Sequence, residues 1–425
     1  MQKKYWYPLD NAAKIYPPNT NEKSPFVFSF TASLKEEIDP ELLEKALNIQ
    51  LQSMPTFKTR LKRGIFWYYL ESNNKPAKVK PQPEHYLKQI TPESNNGYMF
   101  EVFYRKNTLT CNFHHSLTDG TGGVNFFLKL IFEYFKLCGY DVESEGIIRP
   151  SASPHVIEES EDTFRLVDKE NKGSLQKENL AYKFKGTPFD HDGYGIITGI
   201  CPIDQVKALA KKYDTTITIY LAALYMFVIY ETCLKNKPIK NKEVKILVPV
   251  NLRKKFPSNT VRNFSLFVRL KKDFKEPITF EECVELCKEQ MAEGMRSEVI
   301  EELIHSNVKL EKNPLLKITP LFLKDIVMKL VYSRVGENLQ SGDLSNIGLI
   351  KTPACFKDKL KDIVFVIGPT QNAQQNFSVI GYDGKLYISS ARGYVETRLE
   401  REFFSHLAKE NVDVTVYSNY WEAEL

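Results

Sequence analysis

No Cys-x-x-Cys pair occurs among the seven cysteines, and their number is odd. This argues against a disulfide framework and reads as reduced thiols in a cytoplasmic protein. Cys283 and Cys287 stand four apart on a segment of helical spacing, yet none of the seven histidines lies near them, so no metal-ligand set is expected. Excess charge is lacking too. The 58 Lys+Arg and 53 Asp+Glu leave +5, too mild for a dedicated nucleic-acid binder. No apolar core follows the charged start Met1-Gln2-Lys3-Lys4, so a signal peptide is not expected. The longest apolar segment, Ile217 to Ile229, is too short to cross a bilayer and reads as a buried helix. Together these absences describe a soluble cytoplasmic protein with no membrane span and no nucleic-acid partner.

What is present is core. The 425 residues are 42% hydrophobic, with 27 Phe and 22 Tyr, enough for two domains or two large halves. Phe26 to Leu34 alternates as a strand with one buried face. Asp39-Pro40-Glu41 supplies a cap, a proline at the first helical position and an acidic first turn, and predicts a helix that Pro55 ends. Phe57 to Leu61 and Phe66 to Leu70 read as paired strands, and Lys106-Asn107 as a hairpin. From Tyr140 to about Gly193 charged runs leave few apolar anchors, as in a solvated crossover, and His191 reads as part of a surface turn. The order then repeats: a strand from Gly195, a helix after Pro202, a second helix capped by Thr215 or Thr216, and a strand from Val244 to Val250. Helices are expected at Phe280 to Met295, Leu321 to Val335 and Glu396 to Lys409, and a hairpin turning at Asp383-Gly384. This is a mixed α/β pattern in two similarly ordered halves.

The chain's most informative stretch is Cys111-Asn112-Phe113-His114-His115-Ser116-Leu117-Thr118-Asp119-Gly120. From Thr108 to His115, Leu109, Cys111, Phe113 and His115 fall on one face of a strand. His115 thus ends an otherwise apolar face. Gly120, Gly122 and Gly123 predict a turn, followed by a helix from Val124 to Leu137. A neutral imidazole takes a proton from a hydroxyl or amine near neutral pH once its tautomer and orientation are fixed. The glycines would let backbone N–H groups approach a reacting carbonyl oxygen. A second stretch, Val248 to Phe256, puts Asn251 and Arg253 directly after a strand, suited either to orienting a buried carboxylate or to a basic solvated turn.

His114-His115-Ser116-Leu117-Thr118-Asp119-Gly120 resembles the HHxxxDG motif of the coenzyme A-dependent acyltransferase superfamily, which includes chloramphenicol acetyltransferase, condensation domains and alcohol acetyltransferases. The alcohol acetyltransferase branch is further suggested by Gly64-Ile65-Phe66-Trp67-Tyr68-Tyr69-Leu70 and by Pro249-Val250-Asn251-Leu252-Arg253 with Thr260-Val261-Arg262-Asn263. Mycobacterial lipid acyltransferases look similar in that last region. The Asp-Phe-Gly-Trp-Gly signature of the plant subgroup is missing, and HHxxxDG occurs once. The resemblance implies an α/β (α+β) fold of two chloramphenicol-acetyltransferase-like sandwiches, a pseudo-dimer with the active-site tunnel between them. Residues 1–180, with a crossover from about 140, would form the half bearing the motif, and residues 181–425 the other.

It further implies His115 as general base, Asp119 as a structural carboxylate paired with an arginine, here Arg253, and an oxyanion donor near Gly120. His114, Asn251 and Asn263 would be supports, and Ser345 and Asn346 would border the tunnel where a turn enters a strand from Gly348. The implied reaction moves an acyl group, acetyl foremost, from acyl-CoA to a small alcohol or amine, with acyl-CoA as co-substrate and no bound cofactor. Two alternatives stay open: a condensation-type enzyme whose donor is carried on an acyl carrier protein, and a non-catalytic binding relative.

Overall fold

The computed structural model describes residues 5–85, 87–148, 157–169, 178–189 and 193–419. Much of the crossover, His191 included, lies outside the described residues. Within it, Thr163–Val167 forms a short helix.

Three sheets organise the chain. One has five strands in the order Leu360–Ile367, Val27–Leu34, Thr108–His114, Phe100–Arg105 and Val79–Pro81. The hairpin at Lys106-Asn107 joins its third and fourth strands, with residues from Thr108 to Phe113 opposite Arg105 to Phe100. A seven-stranded sheet runs Ser265–Asp273, Glu243–Asn251, Gly342–Leu349, Gln375–Tyr382, Lys385–Arg392, Gly195–Pro202 and Thr415–Ser418. Trp6–Pro8, Tyr68–Ser72 and Thr59–Arg63 make the small third sheet. The strand Leu360–Ile367 comes from late in the chain yet pairs antiparallel with Val27–Leu34 at the edge of the five-stranded sheet.

On the five-stranded sheet lie the helices Pro40–Ser53 and Gly120–Leu137. Asp39 caps the first by accepting the N–H groups of Glu41 and Leu42, as its sequence predicts. Leu43, Leu47, Phe126, Phe127 and Ile131 meet Phe28, Phe30 and Phe113 in the core, where Phe30 and Phe127 stack at 5.7 Å. Val27–Leu34 buries Val27 and Ser29 in addition to the single face its alternation suggested, with Thr31 and Ser33 half-buried. Val27 joins Val366, Ile196 and Ala391 in a second apolar cluster that packs the five-stranded sheet against the seven-stranded one.

The second core surrounds the helix Ile217–Ile229, capped by Thr216 at the Ile219 N–H. This helix continues as a π-helical turn, Tyr230–Leu234, so the element Ile217–Leu234 reaches 18 residues, longer than the apolar run alone indicated. Among the described residues it is the one helix long and apolar enough to cross a membrane, and 67% of it is buried inside the protein. The helix Ser297–Lys312 was not anticipated, because its charged residues hide the stripe of Ile300, Ile304 and Val308.

A buried arginine staples the periphery to the centre. Arg262, 1% exposed, donates to Pro8 O at 2.7 Å and Ser160 O at 3.1 Å, and its Nε lies 3.5 Å from Asp10 Oδ2. Burial pushes the Asp10 carboxyl above the usual range while Arg262 opposes the shift. Arg262→Met should therefore destabilise the protein by about 3–5 kcal/mol in urea unfolding, because two carbonyls and a carboxyl lose their buried partner. A loss below about 1 kcal/mol would mean that this staple holds nothing in place.

Candidate active site

The strand Thr108–His114 has neighbours on both sides, so its end lies well inside the five-stranded sheet. His115 follows directly, its N–H donating to Phe26 O at 2.9 Å and its carbonyl accepting from Asn263 Nδ2 at 3.0 Å. Both backbone groups are thus fixed, one by each half of the chain. The imidazole packs against two rings. Phe28 is 4.7 Å away, tilted by 48°, and Tyr16 is 5.1 Å away, nearly parallel at 21°. Nδ1 is buried and has no hydrogen-bond partner, although the residue as a whole keeps part of its surface accessible. Burial among these rings lowers its pKa to about 4, and the Asp119 charge opposes that shift.

His114 points elsewhere and has a different use. Its Nδ1 accepts the Ser116 N–H at 3.1 Å, so the proton of the neutral ring sits on Nε2. Nε2 then donates to Thr20 Oγ1 at 2.9 Å, and that hydroxyl donates to Tyr16 O at 2.8 Å. Burial, with His115 beside it, lowers the His114 pKa to about 3 and keeps this tautomer neutral. The first histidine thereby anchors the turn that lays Tyr16 over the second.

Asp119 is 5% exposed and accepts four hydrogen bonds. Oδ1 takes the Gly122 N–H at 3.0 Å, capping the helix, and Arg253 Nη2 at 3.3 Å. Oδ2 takes Arg253 Nη1 at 2.7 Å and the Phe264 N–H at 2.9 Å. Arg253 completes its own set with Nε to Thr260 O at 3.0 Å, Nη1 to Asn251 Oδ1 at 3.3 Å, and Nη2 to Arg262 O. Each of its five N–H donors therefore has an acceptor. Asn251 braces this fork from its other end, donating to Thr121 Oγ1 at 3.1 Å. The basic, solvated turn that Arg253 could equally have occupied is not what forms; a buried carboxylate orders it.

The glycines differ from expectation. No turn separates Asp119 from the helix, which starts at Gly120 itself. A Cβ on Gly122 would lie 2.0 Å from Val261 O and 2.1 Å from Thr118 Oγ1, and one on Gly123 2.7 Å from the Phe28 ring. Close approach, with no special backbone angle, is why glycine stands there. The Gly122 and Gly123 N–H groups are engaged by Asp119 Oδ1 and O.

Ser345 and Asn346 also sit differently: both lie within the strand Gly342–Leu349, with no turn before Gly348. Asn346 donates to Thr218 Oγ1 at 2.9 Å and accepts the Gly348 N–H at 2.8 Å, which holds a local irregularity in the pairing. Ser345 is buried in register with Ser378. Their neighbour Ile347 packs on the helix start, its Cδ1 2.5 Å from where a Gly120 Cβ would be. Tyr16, Thr20, Asp10 and the Phe264 N–H were not foreseen. Nothing in Tyr16-Pro17-Pro18-Asn19-Thr20 advertises them, since their partners lie about a hundred residues away or more.

No protein-family profile and no curated protein sequence matches the chain. Solved structures do. The first condensation domain of the calcium-dependent antibiotic synthetase, in complex with a substrate analogue, aligns at a TM-score of 0.62 and 13% identity, covering 97% of this chain and 99% of that one. The starter condensation domain of rhizomide synthetase in complex with C8-CoA gives 0.61 and 12%, over 96% and 98%. Trichothecene 15-O-acetyltransferase from Fusarium sporotrichioides gives 0.59 and 11%, over 96% and 94%. At such identities the likeness establishes the fold: the chain has the two-lobed, mixed α/β architecture of these proteins, as its motif led us to expect.

Arg253→Ala and Asp119→Ala should each cost about 3–5 kcal/mol in urea unfolding, since either leaves a buried charge alone. The double variant should cost clearly less than the sum. Strictly additive losses would mean that the two side chains act independently.

Proposed function

From this shared fold as premise, we propose that the protein is an acyltransferase that moves an acyl group, acetyl foremost, from acyl-CoA to an alcohol or amine, with His115 as general base. The observation that carries the proposal is the placement of His115: an imidazole packed against Phe28 and Tyr16 at the end of the strand, with its N–H held by Phe26 O and its carbonyl by Asn263. With Nδ1 enclosed, Nε2 is the ring nitrogen that meets the acceptor. Nε2 takes the acceptor proton as the acceptor oxygen or nitrogen attacks the thioester carbonyl. The tetrahedral intermediate then collapses, and the imidazolium returns the proton to the departing CoA thiolate. No acyl-enzyme forms and no bound cofactor is needed.

Asp119 makes no hydrogen bond to the His115 ring; its charge favours the imidazolium from a distance while Arg253 holds it. Because Gly122 and Gly123 have spent their N–H groups, the oxyanion donor near Gly120 would be the N–H of Gly120 or Thr121, in the first helical turn. The likeness to a condensation domain solved with C8-CoA supports a CoA thioester as donor. A second reading is a condensation-type enzyme whose donor is borne on an acyl carrier protein; it draws on the likeness to a condensation domain of an antibiotic synthetase.

Purified protein incubated with acetyl-CoA and a panel of alcohols and amines should release free thiol only when an acceptor is present, and His115→Ala should lower that rate about 10²- to 10⁴-fold. Transfer from a carrier-bound donor alone would select the second reading, and transfer indifferent to His115→Ala would remove the base assigned here. The pH profile follows from the lowered pKa of about 4. Because the free imidazole is already unprotonated above that value, kcat/KM for an alcohol should be flat from about pH 5 to 8 and fall only below it. A break near pH 6.5 would contradict the buried, neutral ring.

A further inference from the structure

The helix Leu321–Val335 is turned inside out. Phe322, Leu323, Ile326, Val327, Leu330 and Val331 recur at helical spacing along its outer side and are 43–58% exposed. Its inner side carries two charged residues, Lys324 and Asp325. Lys324 is 2% exposed, donates to Phe66 O at 2.7 Å and lies 3.6 Å from the centre of the Trp67 ring. Asp325 pairs with Arg63 at 3.0 Å and accepts from Tyr68 OH at 3.0 Å. A surface helix ordinarily does the opposite. The preceding helix Pro314–Ile318 extends the apolar face with exposed Leu315 and Ile318, and Ile65, whose carbonyl accepts the Leu321 N–H, adds to it. A continuous aliphatic face of this kind marks a surface that something covers.

We propose that this face rests on a bilayer containing anionic lipid, with the helix Leu321–Val335 lying in the interface. Charge decides for lipid. Between residues 313 and 333 the charged side chains are Lys317, Lys324, Asp325 and Lys329; the two that are exposed are Lys317 and Lys329, and the one acid is already paired with Arg63. The face therefore offers aliphatic side chains flanked by free lysines, which complement acyl chains beneath anionic headgroups. A second copy meeting it through the same face would bring only the same lysines and no exposed acid from residues 313–333 to meet them. The chemistry of the face also lacks the tyrosines and hydrogen-bonding groups that protein interfaces use. On its inner side Tyr332 meets the Phe26 ring at 5.9 Å, Phe26 meets Tyr16 at 5.3 Å, and Tyr16 lies on His115. A docked chain would thus hold the candidate site close to molecules dissolved in the bilayer.

The test is co-sedimentation of the full chain with vesicles of phosphatidylcholine alone and with added phosphatidylglycerol, which needs no acyl-CoA and so stands apart from the proposed reaction. The protein should bind the anionic vesicles more tightly, and less so as salt is raised. Ile326→Glu with Leu330→Glu should weaken binding at least about tenfold. Lys317→Glu with Lys329→Glu should weaken it by at least about fivefold per lysine. Both pairs lie on the surface, so their thermal melts should match that of the parent. Vesicle binding indifferent to both pairs would overturn the proposal. So would a monomer that ignores vesicles, and so would a dimer in analytical ultracentrifugation that ignores vesicles and is broken by the Glu pair, which assigns the face to a second copy.

Discussion

The ion pair between Asp119 and Arg253 is the constraint on which the rest of the site depends. It sits where a helix begins, so one carboxylate does two things: it caps Gly120–Leu137 and it receives a guanidinium from residues far along the chain. Burial makes the pair unforgiving, because neither charge has water to fall back on. The guanidinium in turn orders the carbonyls of Thr260 and Arg262, and the same turn brings Asn263 to the His115 carbonyl. The position of the imidazole is therefore decided by an interaction the imidazole takes no part in.

A second constraint runs from the opposite side. His114 is neutral, locked in one tautomer, and spends both ring nitrogens on structure. Through Thr20 it holds the segment whose tyrosine covers His115. Two adjacent histidines, separated by the alternation of a strand, thus take opposite duties: one is fully bonded, and the other keeps a nitrogen unsatisfied. An unpaired buried Nδ1 costs roughly 1–3 kcal/mol. Both Tyr16 and Phe28 pack against the same imidazole, at 5.1 and 4.7 Å.

Much of this was legible in the residues. Asp39 and Thr216 announced their caps, Asp383-Gly384 its hairpin turn, and His115 stood out because it closes an apolar face. These signals are local, and local chemistry decided them. Distant partners were legible only where the resemblance supplied them, as with Asp119 and Arg253, whose expected pairing forms; the residues alone did not show the others. Gly122 and Gly123 looked like a turn, because glycine means either freedom or closeness, and only the positions of Val261, Thr118 and Phe28 tell which. By its residues alone Arg253 could equally have been solvated; the resemblance paired it with Asp119, and that pair forms. Tyr16 carries no motif at all. The helix Ser297–Lys312 escaped notice because its apolar stripe is thin among charged residues, and the buried Ser345 and half-buried Asn346 of the strand Gly342–Leu349 imitate a turn.

The strand Leu360–Ile367 has a consequence for how the chain is made. It covers the outer edge of Val27–Leu34, residue 367 facing residue 28, so the first long strand has its neighbour more than three hundred positions downstream. During synthesis that edge, with Phe28 and Phe30 on it, must wait for a partner made more than three hundred residues later. An unpaired edge of this kind is a template for pairing with another nascent chain. The five-stranded sheet therefore gains its edge strand only after the intervening strands and helices have been made, although Val27–Leu34 is translated long before it.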